Sequence, residues 1–236
     1  MSVILDIIEE KEMRELMYKH LFFDLDHTLL DFEQGEHLAI TKVFESEGLA
    51  MTADLLEQYQ TINKGLWQAL ERGEIERDKI LTRRFSDFFE LHKISVEGRA
   101  KEQIFRTEIN NSHHLMPHAI GILDYLKDKP VILSSATNGV YDTQMKRMKG
   151  SGIFPYFTHH FISEEIGYSK PQPEFFEYAM KRVGVESSEI LMIGDSITSD
   201  IRGAAQMAID TCYFGTEQVN ATYTISDLME IQNIIQ

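Results

Sequence analysis

The sequence has a single cysteine, Cys212, among its 236 residues, so no disulfide can form within the chain. Structural disulfides are typical of secreted proteins, and their absence favours a reducing compartment, for which we predict a cytoplasmic location. The surrounding segment DTCYFG is typical of a buried strand, and we interpret the thiol as an inert part of the core.

Long apolar runs are also lacking. No stretch approaches the ~20 consecutive apolar residues that a membrane-spanning helix needs. The N-terminal segment lacks the basic start, long apolar middle and cleavage site of a secretory signal. We therefore predict no membrane contact, and we interpret residues 1–16 as a short amphipathic extension ahead of the first strand.

Basic residues are scarce relative to acidic ones. The chain has 23 Lys and Arg against 38 Asp and Glu, which gives a net charge of −15. Proteins that bind nucleic-acid polymers rely on basic surfaces, so we predict no such partner. A small anion is still a possible ligand, but positive charge must then be concentrated at its binding site, because the field of the whole molecule opposes it.

Prolines number only five, and no biased tract indicates a disordered linker. A short apolar strand ends at Asp24, and the next stretch, 35–114, has helical periodicity with almost no strand signal. Gly48, Gly73 and a turn near Ser95–Gly98 divide this stretch into four predicted helices.

After Pro117 the pattern changes to alternating helices and strands, and ISDLMEIQNII is predicted to close the chain as a helix. Such alternation predicts an α/β fold, with a doubly wound, Rossmann-like parallel sheet and an inserted helical bundle. The predicted division is an extension at 1–16, a core formed by 17–34 and 115–236, and a bundle at 35–114.

Polar side chains follow each of the first four predicted strands. Ligands bind open parallel sheets beyond the carboxyl ends of the strands, so these groups are expected to meet at one edge. They are Asp24 and Asp26, the turn Thr137–Gly139, Lys170, and Asp195 with Asp200.

This set of groups predicts phosphate chemistry. Several carboxylates at one place require a cation, and hard oxygen ligands favour Mg²⁺, which also holds substrate phosphates. Lys170, the hydroxyl of Thr137 and the backbone N–H groups of Asn138 and Gly139 are candidates to bind the phosphate oxygens. Asp24 could then attack phosphorus and form an aspartyl-phosphate. Asp26 could protonate the leaving oxygen and later activate water, and we expect neighbouring acids to keep it protonated at the start.

These residues resemble the four motifs of the haloacid dehalogenase superfamily. Asp24, Asp26 and Thr28 match the first motif, Asp-x-Asp-x-Thr, and Thr137 matches the Ser/Thr of the second. Lys170 matches the lysine of the third. The fourth, Gly-Asp-x-x-x-x-Asp, is matched by Gly194, Asp195 and Asp200.

The resemblance implies roles for these residues. Asp24 would be the nucleophile and Asp26 the acid and base, with Thr137 and Lys170 completing the catalytic set. Mg²⁺ would be bound by the carboxylate of Asp24, the backbone carbonyl of Asp26 and Asp195. Asp200 would stand behind these ligands. The second aspartate argues against dehalogenase chemistry, because the dehalogenases lack it.

The inserted bundle resembles the helical cap with which this family selects its substrates. Segments such as INKGLWQALERGEI and ATNGVYDTQMKRM resemble the branch that contains pyrimidine 5′-nucleotidases. The resemblance therefore implies a Mg²⁺-dependent 5′-nucleotidase acting on nucleoside monophosphates, with pyrimidine ones preferred. For the cap we predict that Asn63, Trp67 and Arg84 contact substrate, in addition to Thr137, Asn138 and Lys170 in the core.

Alternatives remain open at this point. A sugar-phosphate phosphatase or phosphomutase of the same superfamily would use the same aspartyl-phosphate. Phosphonate cleavage would need a Schiff-base lysine in the cap, for which Lys64 is a poor candidate. A protein that only binds phosphate or a partner would use the fold without the chemistry. We expect a monomer or a homodimer acting on a small phosphate ester.

Overall fold

The computed structural model describes residues 18–236, so the predicted extension at 1–16 lies outside the described residues. The strands are β1 (His20–Phe23), β2 (Ile132–Thr137), β3 (His159–Ile162), β4 (Ile190–Gly194), β5 (Asp210–Phe214) and β6 (Tyr223–Ile225). They form one six-stranded sheet in the order β3-β2-β1-β4-β5-β6, and every neighbouring pair is parallel. The predicted parallel sheet is therefore confirmed.

Helices cover both faces of this sheet. The core helices are α5 (Ala119–Lys127), α6 (Tyr141–Ser151), α7 (Ser163–Ile166), α8 (Pro173–Val183) and α9 (Gly203–Gln206), after the four cap helices described below. Because successive side chains of a strand point to opposite faces, Leu21 and Phe23 pack into the core cluster with α5, while Phe22 packs into the cluster with α8. The central strand β1 is thus apolar on both sides, as a buried parallel strand requires.

The end of the chain differs from the predicted helix. Residues Tyr223–Ile225 form a sixth strand that pairs with β5, and a short 3₁₀ helix, Leu228–Asn233, follows it. Leu228 and Ile231 pack against the core cluster under α5. Their three-residue spacing gives the same apolar stripe in a 3₁₀ turn as in an α-helix, so the pattern alone could not separate the two.

Four helices build the inserted bundle, which we call the cap. They are α1 (Phe32–Glu45), α2 (Ala53–Glu71), α3 (Arg77–Leu91) and α4 (Gly98–Asn111). The cap has a core of its own, in which the rings of Phe44 and Phe88 stack at 4.6 Å and Tyr59 stacks on Phe85 at 5.1 Å. The four predicted helices are present, although the first begins three residues before the predicted bundle boundary, which itself stays a prediction.

The chain leaves the core and returns to it at adjacent points. Leu30 forms an antiparallel bridge with Leu115, and the N–H of Asp31 donates to the carbonyl of His114 at 3.0 Å. Asp31 also begins α1 as its N-cap, because its carboxylate accepts from the N–H of Gln34 at 3.2 Å. The two linkers are therefore paired with each other where the cap joins the sheet.

None of the helices within residues 18–236 is long and apolar enough to cross a membrane.

A buried histidine lies at the start of the central strand. His20 is 1% exposed, its Nε2 is 2.7 Å from the hydroxyl of Ser134, and its ring stacks on His159 at 5.9 Å. Burial, with a smaller contribution from His159, lowers the pKa of His20 to about 4.

This pKa predicts acid-sensitive folding. Between pH 6.5 and about pH 4 the unfolded chain binds a proton at His20 and the folded chain does not. The free energy of unfolding therefore falls as the pH is lowered through this window, by up to about 1.4 kcal/mol per pH unit. We expect His20→Gln to remove this part of the slope in urea unfolding measured from pH 7 to pH 4. The exposed His37→Gln is the control and should follow the original protein. An unchanged slope in His20→Gln would contradict the prediction.

Candidate active site

The carboxyl ends of the central strands bring the predicted groups together. Asp24 follows β1, Thr137 ends β2, and Asp195 follows β4. Lys170 reaches the same edge from the loop between α7 and α8, since its ammonium donates to the carboxylate of Asp24 at 2.7 Å. The sheet topology thus places residues that are up to 171 positions apart in sequence at one site.

Lys170 is the centre of this site. It is 1% exposed, and its ammonium also donates to Asp200 at 2.6 Å and to the carbonyl of Ala136 at 2.6 Å. Burial alone would lower the pKa of Lys170, but Asp200 and Asp24 outweigh that effect and raise it. The side chain is therefore a fixed positive charge.

Asn138 holds the backbone of Lys170 in place. The amide of Asn138 donates to the carbonyl of Lys170 at 2.8 Å and accepts from its N–H at 2.9 Å. The N–H of Gly139 donates to the hydroxyl oxygen of Thr137 at 3.0 Å. The N–H of Gly139 and the hydroxyl of Thr137, both predicted to bind phosphate, are therefore bound to each other in this conformation. The side-chain amide of Asn138 positions Lys170.

The structure offers a site that fits Mg²⁺. Ligand oxygens of Asp24, Asp195 and Asp200 lie within 4.8 Å of one another, and carboxylates are the ligands that Mg²⁺ prefers. Burial raises the pKa of Asp24 well above its usual range, against the opposing effect of Lys170. Burial and then Asp200 raise the pKa of Asp195 to about 6. One ammonium does not neutralise three carboxylates, and a bound divalent cation would restore the balance.

Asp200 has both carboxylate oxygens engaged. One accepts from Lys170, and the other accepts from the backbone N–H of Ser196 at 3.0 Å. Asp200 lies in a π-helical turn, Ile197–Arg202. A Cβ at position 194 would lie 2.2 Å from this carboxylate, so only glycine leaves room there. Both hydrogen bonds hold the carboxylate of Asp200 in place, and its position behind the metal ligands stays a prediction.

The side chain of Asp26 has partners that differ from the expected acids. Its carboxylate forms an ion pair with Arg147 and accepts from the amide of Gln144 at 2.8 Å. Gln144 also donates to the hydroxyl of Thr137 at 2.8 Å, so it bridges two of the predicted catalytic residues. A Cβ at position 139 would lie 2.5 Å from the Gln144 amide, which explains the glycine there.

Arg147 and Gln144 are residues that the sequence reasoning missed. Both lie on α6, three positions apart and therefore on one face of the helix, and both are fully or almost fully buried. In the sequence they are ordinary polar residues of the helix that follows Thr137, and no pattern there indicates their contacts with Asp26.

The cap closes this edge into a cavity of about 490 Å³. The three cap residues predicted to bind substrate, Asn63, Trp67 and Arg84, all line it. Arg84 is 2% exposed, and its guanidinium donates to Glu102 at 2.8 and 2.5 Å. The structure thus brings the predicted cap residues to the cavity, with Arg84 already bound within the cap.

Hydrogen bonds across the cavity join the cap to the core. Glu71 at the end of α2 accepts from the hydroxyl of Thr198 at 3.0 Å, and Arg77 at the start of α3 donates to Ser163. Arg106 on α4 donates to the hydroxyl of Thr143 on α6 at 3.2 Å. These contacts place the cap directly over the carboxylate cluster.

Comparison with known proteins identifies the architecture. The family model of haloacid dehalogenase-like hydrolases matches residues 18–208. The HAD-hydrolase YfnB of Bacillus subtilis is 37% identical over 92% of this chain and 95% of its own length. A crystal structure of YfnB bound to magnesium superimposes with a TM-score of 0.88, over 92% of this chain and 98% of that one.

Two further relatives have named activities. The pyrimidine 5′-nucleotidase PynA of Streptococcus pneumoniae is 33% identical over 92% of this chain and 94% of its own length. A glyceraldehyde 3-phosphate phosphatase of Methanocaldococcus jannaschii is 28% identical over 93% of this chain and 98% of its own length. The similarity therefore extends over the cap as well as the core.

The carboxylate cluster predicts a stabilising effect of Mg²⁺. At one hundred times its Kd, a ligand of the folded state adds about 2.7 kcal/mol, which for a chain of this size raises the melting temperature by roughly 5–10 °C. We expect Asp195→Asn to lose most of this shift, while its metal-free form melts no lower than the original protein because a repelling charge is gone. Differential scanning calorimetry with and without Mg²⁺ measures both.

The exposed Asp128→Asn is the control, and it should keep the full shift. A full Mg²⁺ shift in Asp195→Asn would place the metal elsewhere.

Proposed function

We propose that this chain, which belongs to the haloacid dehalogenase-like hydrolase family, hydrolyses phosphate monoesters through an aspartyl-phosphate on Asp24. The observation that carries the proposal is the position of Asp24, whose carboxylate is bound by the ammonium of Lys170 inside the cavity. A substrate phosphate placed there meets a nucleophile and a fixed positive charge together.

The first step forms a bond between a carboxylate oxygen of Asp24 and phosphorus as the bond to the ester oxygen breaks. Asp26, two residues on, would leave its contacts with Arg147 and Gln144, take up a proton from solvent and give it to that leaving oxygen. Lys170, together with the hydroxyl of Thr137, would bind the phosphate oxygens that do not react.

The second step releases the phosphate. Asp26, now a carboxylate, takes a proton from a water molecule as that water attacks phosphorus, and the bond to Asp24 breaks. Asp24, the backbone carbonyl of Asp26 and Asp195 would hold Mg²⁺, which supplies charge neutralisation for the phosphate when bound. Asp200 would keep Lys170 and the turn at Ser196 in place.

For the substrate we propose nucleoside 5′-monophosphates, and among these the pyrimidine ones. The cavity of about 490 Å³ lies within the range of about 300–1,000 Å³ that small-molecule sites occupy, and it extends from Asp24 to cap helices α1 and α2. Trp67 on α2 offers an aromatic surface on which a base could stack. Similarity to PynA over both the core and the cap supports the same choice.

A second candidate is a phosphatase of small sugar phosphates. The relative from Methanocaldococcus jannaschii, a glyceraldehyde 3-phosphate phosphatase, favours it, at 28% identity over 93% of this chain. A triose phosphate would fill only a small part of the cavity, and we therefore prefer the nucleotide.

The mechanism predicts that Asp24→Asn loses phosphatase activity. Asparagine has the same size but is a very poor nucleophile, so we expect kcat to fall by at least about 1,000-fold. Phosphate release from uridine 5′-monophosphate with Mg²⁺ measures the loss. Asp31→Asn, in the same segment, is the matched control, because asparagine also caps a helix and activity should stay near that of the original protein. Full activity in Asp24→Asn would refute the aspartyl-phosphate.

The substrate proposal predicts the outcome of a phosphatase screen. With Mg²⁺, kcat/KM for uridine and cytidine 5′-monophosphates should exceed that for ribose 5-phosphate by about tenfold or more, because only the nucleotides can reach the cap. Glyceraldehyde 3-phosphate belongs in the same screen. Phosphate release from sugar phosphates alone would favour the second candidate and defeat the nucleotidase.

A further inference from the structure

The cap side of the cavity contains a buried carboxyl group with spare hydrogen-bonding capacity. Glu36 on α1 is 7% exposed and lines the cavity. Its hydrogen bonds within the described residues are long, at 3.5 Å from the amide of Gln60 and 3.4 Å from that of Asn63. Ordinary N–H···O bonds measure 2.7–3.2 Å, so neither amide satisfies the carboxyl fully.

The orientation of Asn63 is fixed from behind. Arg84 donates to the side-chain oxygen of Asn63 at 3.3 Å, and a guanidinium can only donate. The amide nitrogen of Asn63 must therefore face Glu36. Arg84 is itself held by Glu102 and lies 4.1 Å from the ring centre of Phe105. Arg84 is thus a positioning residue. The side chains of Glu102, Arg84, Asn63 and Glu36 form a hydrogen-bonded series that ends at the cavity.

Each member of this series comes from a different cap helix. Glu36 is on α1, Asn63 on α2, Arg84 on α3 and Glu102 on α4. The packing of the whole bundle therefore sets the position of the Glu36 carboxyl. Burial raises the pKa of this carboxyl against the opposing effects of Gln60 and Arg84. The acid form, which can donate as well as accept, therefore has a larger share at a given pH than in an exposed glutamate, and a ligand edge that accepts a hydrogen bond would stabilise it further.

A carboxyl group that can donate and accept side by side fits one kind of ligand edge. Uracil and thymine present a ring N–H beside a carbonyl, and cytosine presents a ring nitrogen beside an amino group. Both edges can form two parallel hydrogen bonds with such a carboxyl, while the Gln60 amide can serve a further carbonyl. A sugar phosphate presents hydroxyl groups and lacks this planar ring edge.

We propose that Glu36, held by Gln60 and Asn63, binds the hydrogen-bonding edge of a pyrimidine base while the phosphate lies at Asp24 and Lys170. The cavity that Glu36 lines also contains Asp24 and Lys170, so one ligand can contact both ends. This inference rests on the proposed nucleotidase function and adds the group that selects the base.

The test compares uridine 5′-monophosphate with ribose 5-phosphate, which lacks only the base. Glu36→Met keeps the side-chain length and removes both oxygens, so kcat/KM for the nucleotide should fall by about 10- to 100-fold. The value for ribose 5-phosphate should change by less than about twofold, because that ester does not reach Glu36. Glu36→Gln keeps a donor and an acceptor and should retain more nucleotide activity than Glu36→Met.

Glu33→Met, on the exposed face of the same helix, is the matched control and should leave both substrates unchanged. A nucleotide preference that survives in Glu36→Met, or an equal loss on both substrates in the two Glu36 variants, would overturn the role of Glu36 alone. An original protein without any preference for the nucleotide would instead overturn the proposed function, and the inference with it.

Discussion

The ion pairs of the buried Lys170 are the interaction on which the rest of the site depends. Its ammonium joins Asp24 after β1, Ala136 in β2 and Asp200 after β4. A buried charge that loses its partners costs several kcal/mol, so these strand ends are stable only when assembled around the lysine. The contacts that satisfy Lys170 are therefore the same contacts that place the proposed nucleophile beside a positive charge.

The core end and the cap end of the cavity differ in their charged groups. The core end has fixed ions, with Lys170 among three carboxylates and Arg147 against Asp26. At the cap end, Arg84 and Arg106 share the carboxylate of Glu102, and Glu36 lines the cavity with long hydrogen bonds to its neighbours. In a chain with a net charge of −15, and with carboxylates in excess at the core end, a phosphate there needs a bound divalent cation beside Lys170. With that cation the proposed phosphate site is at Asp24, and the proposed site of the base is at Glu36.

Sequence patterns predicted the parts of this molecule that depend on local periodicity. The apolar strands and the residues that follow them gave the sheet, and the four motifs gave the family, which the family model confirms. The strand at Tyr223–Ile225 was missed because three residues carry too little pattern. Arg147 and Glu36 were missed for another reason: each lies on an ordinary amphipathic helix, and its importance depends on contacts with distant elements.

The two ends of the cavity belong to separately packed parts of the molecule, the sheet and the cap. The positions of Asp24 and Lys170 depend on the sheet, whereas that of Glu36 depends on the packing of the cap helices. The linkers that join these two units pair at Leu30 and Leu115. A rotation of the cap about this pair would change the distance between Glu36 and Asp24 and leave each end intact. Under the proposed function, such a rotation would make the distance between the two ends, as well as their chemistry, a condition for binding a nucleotide.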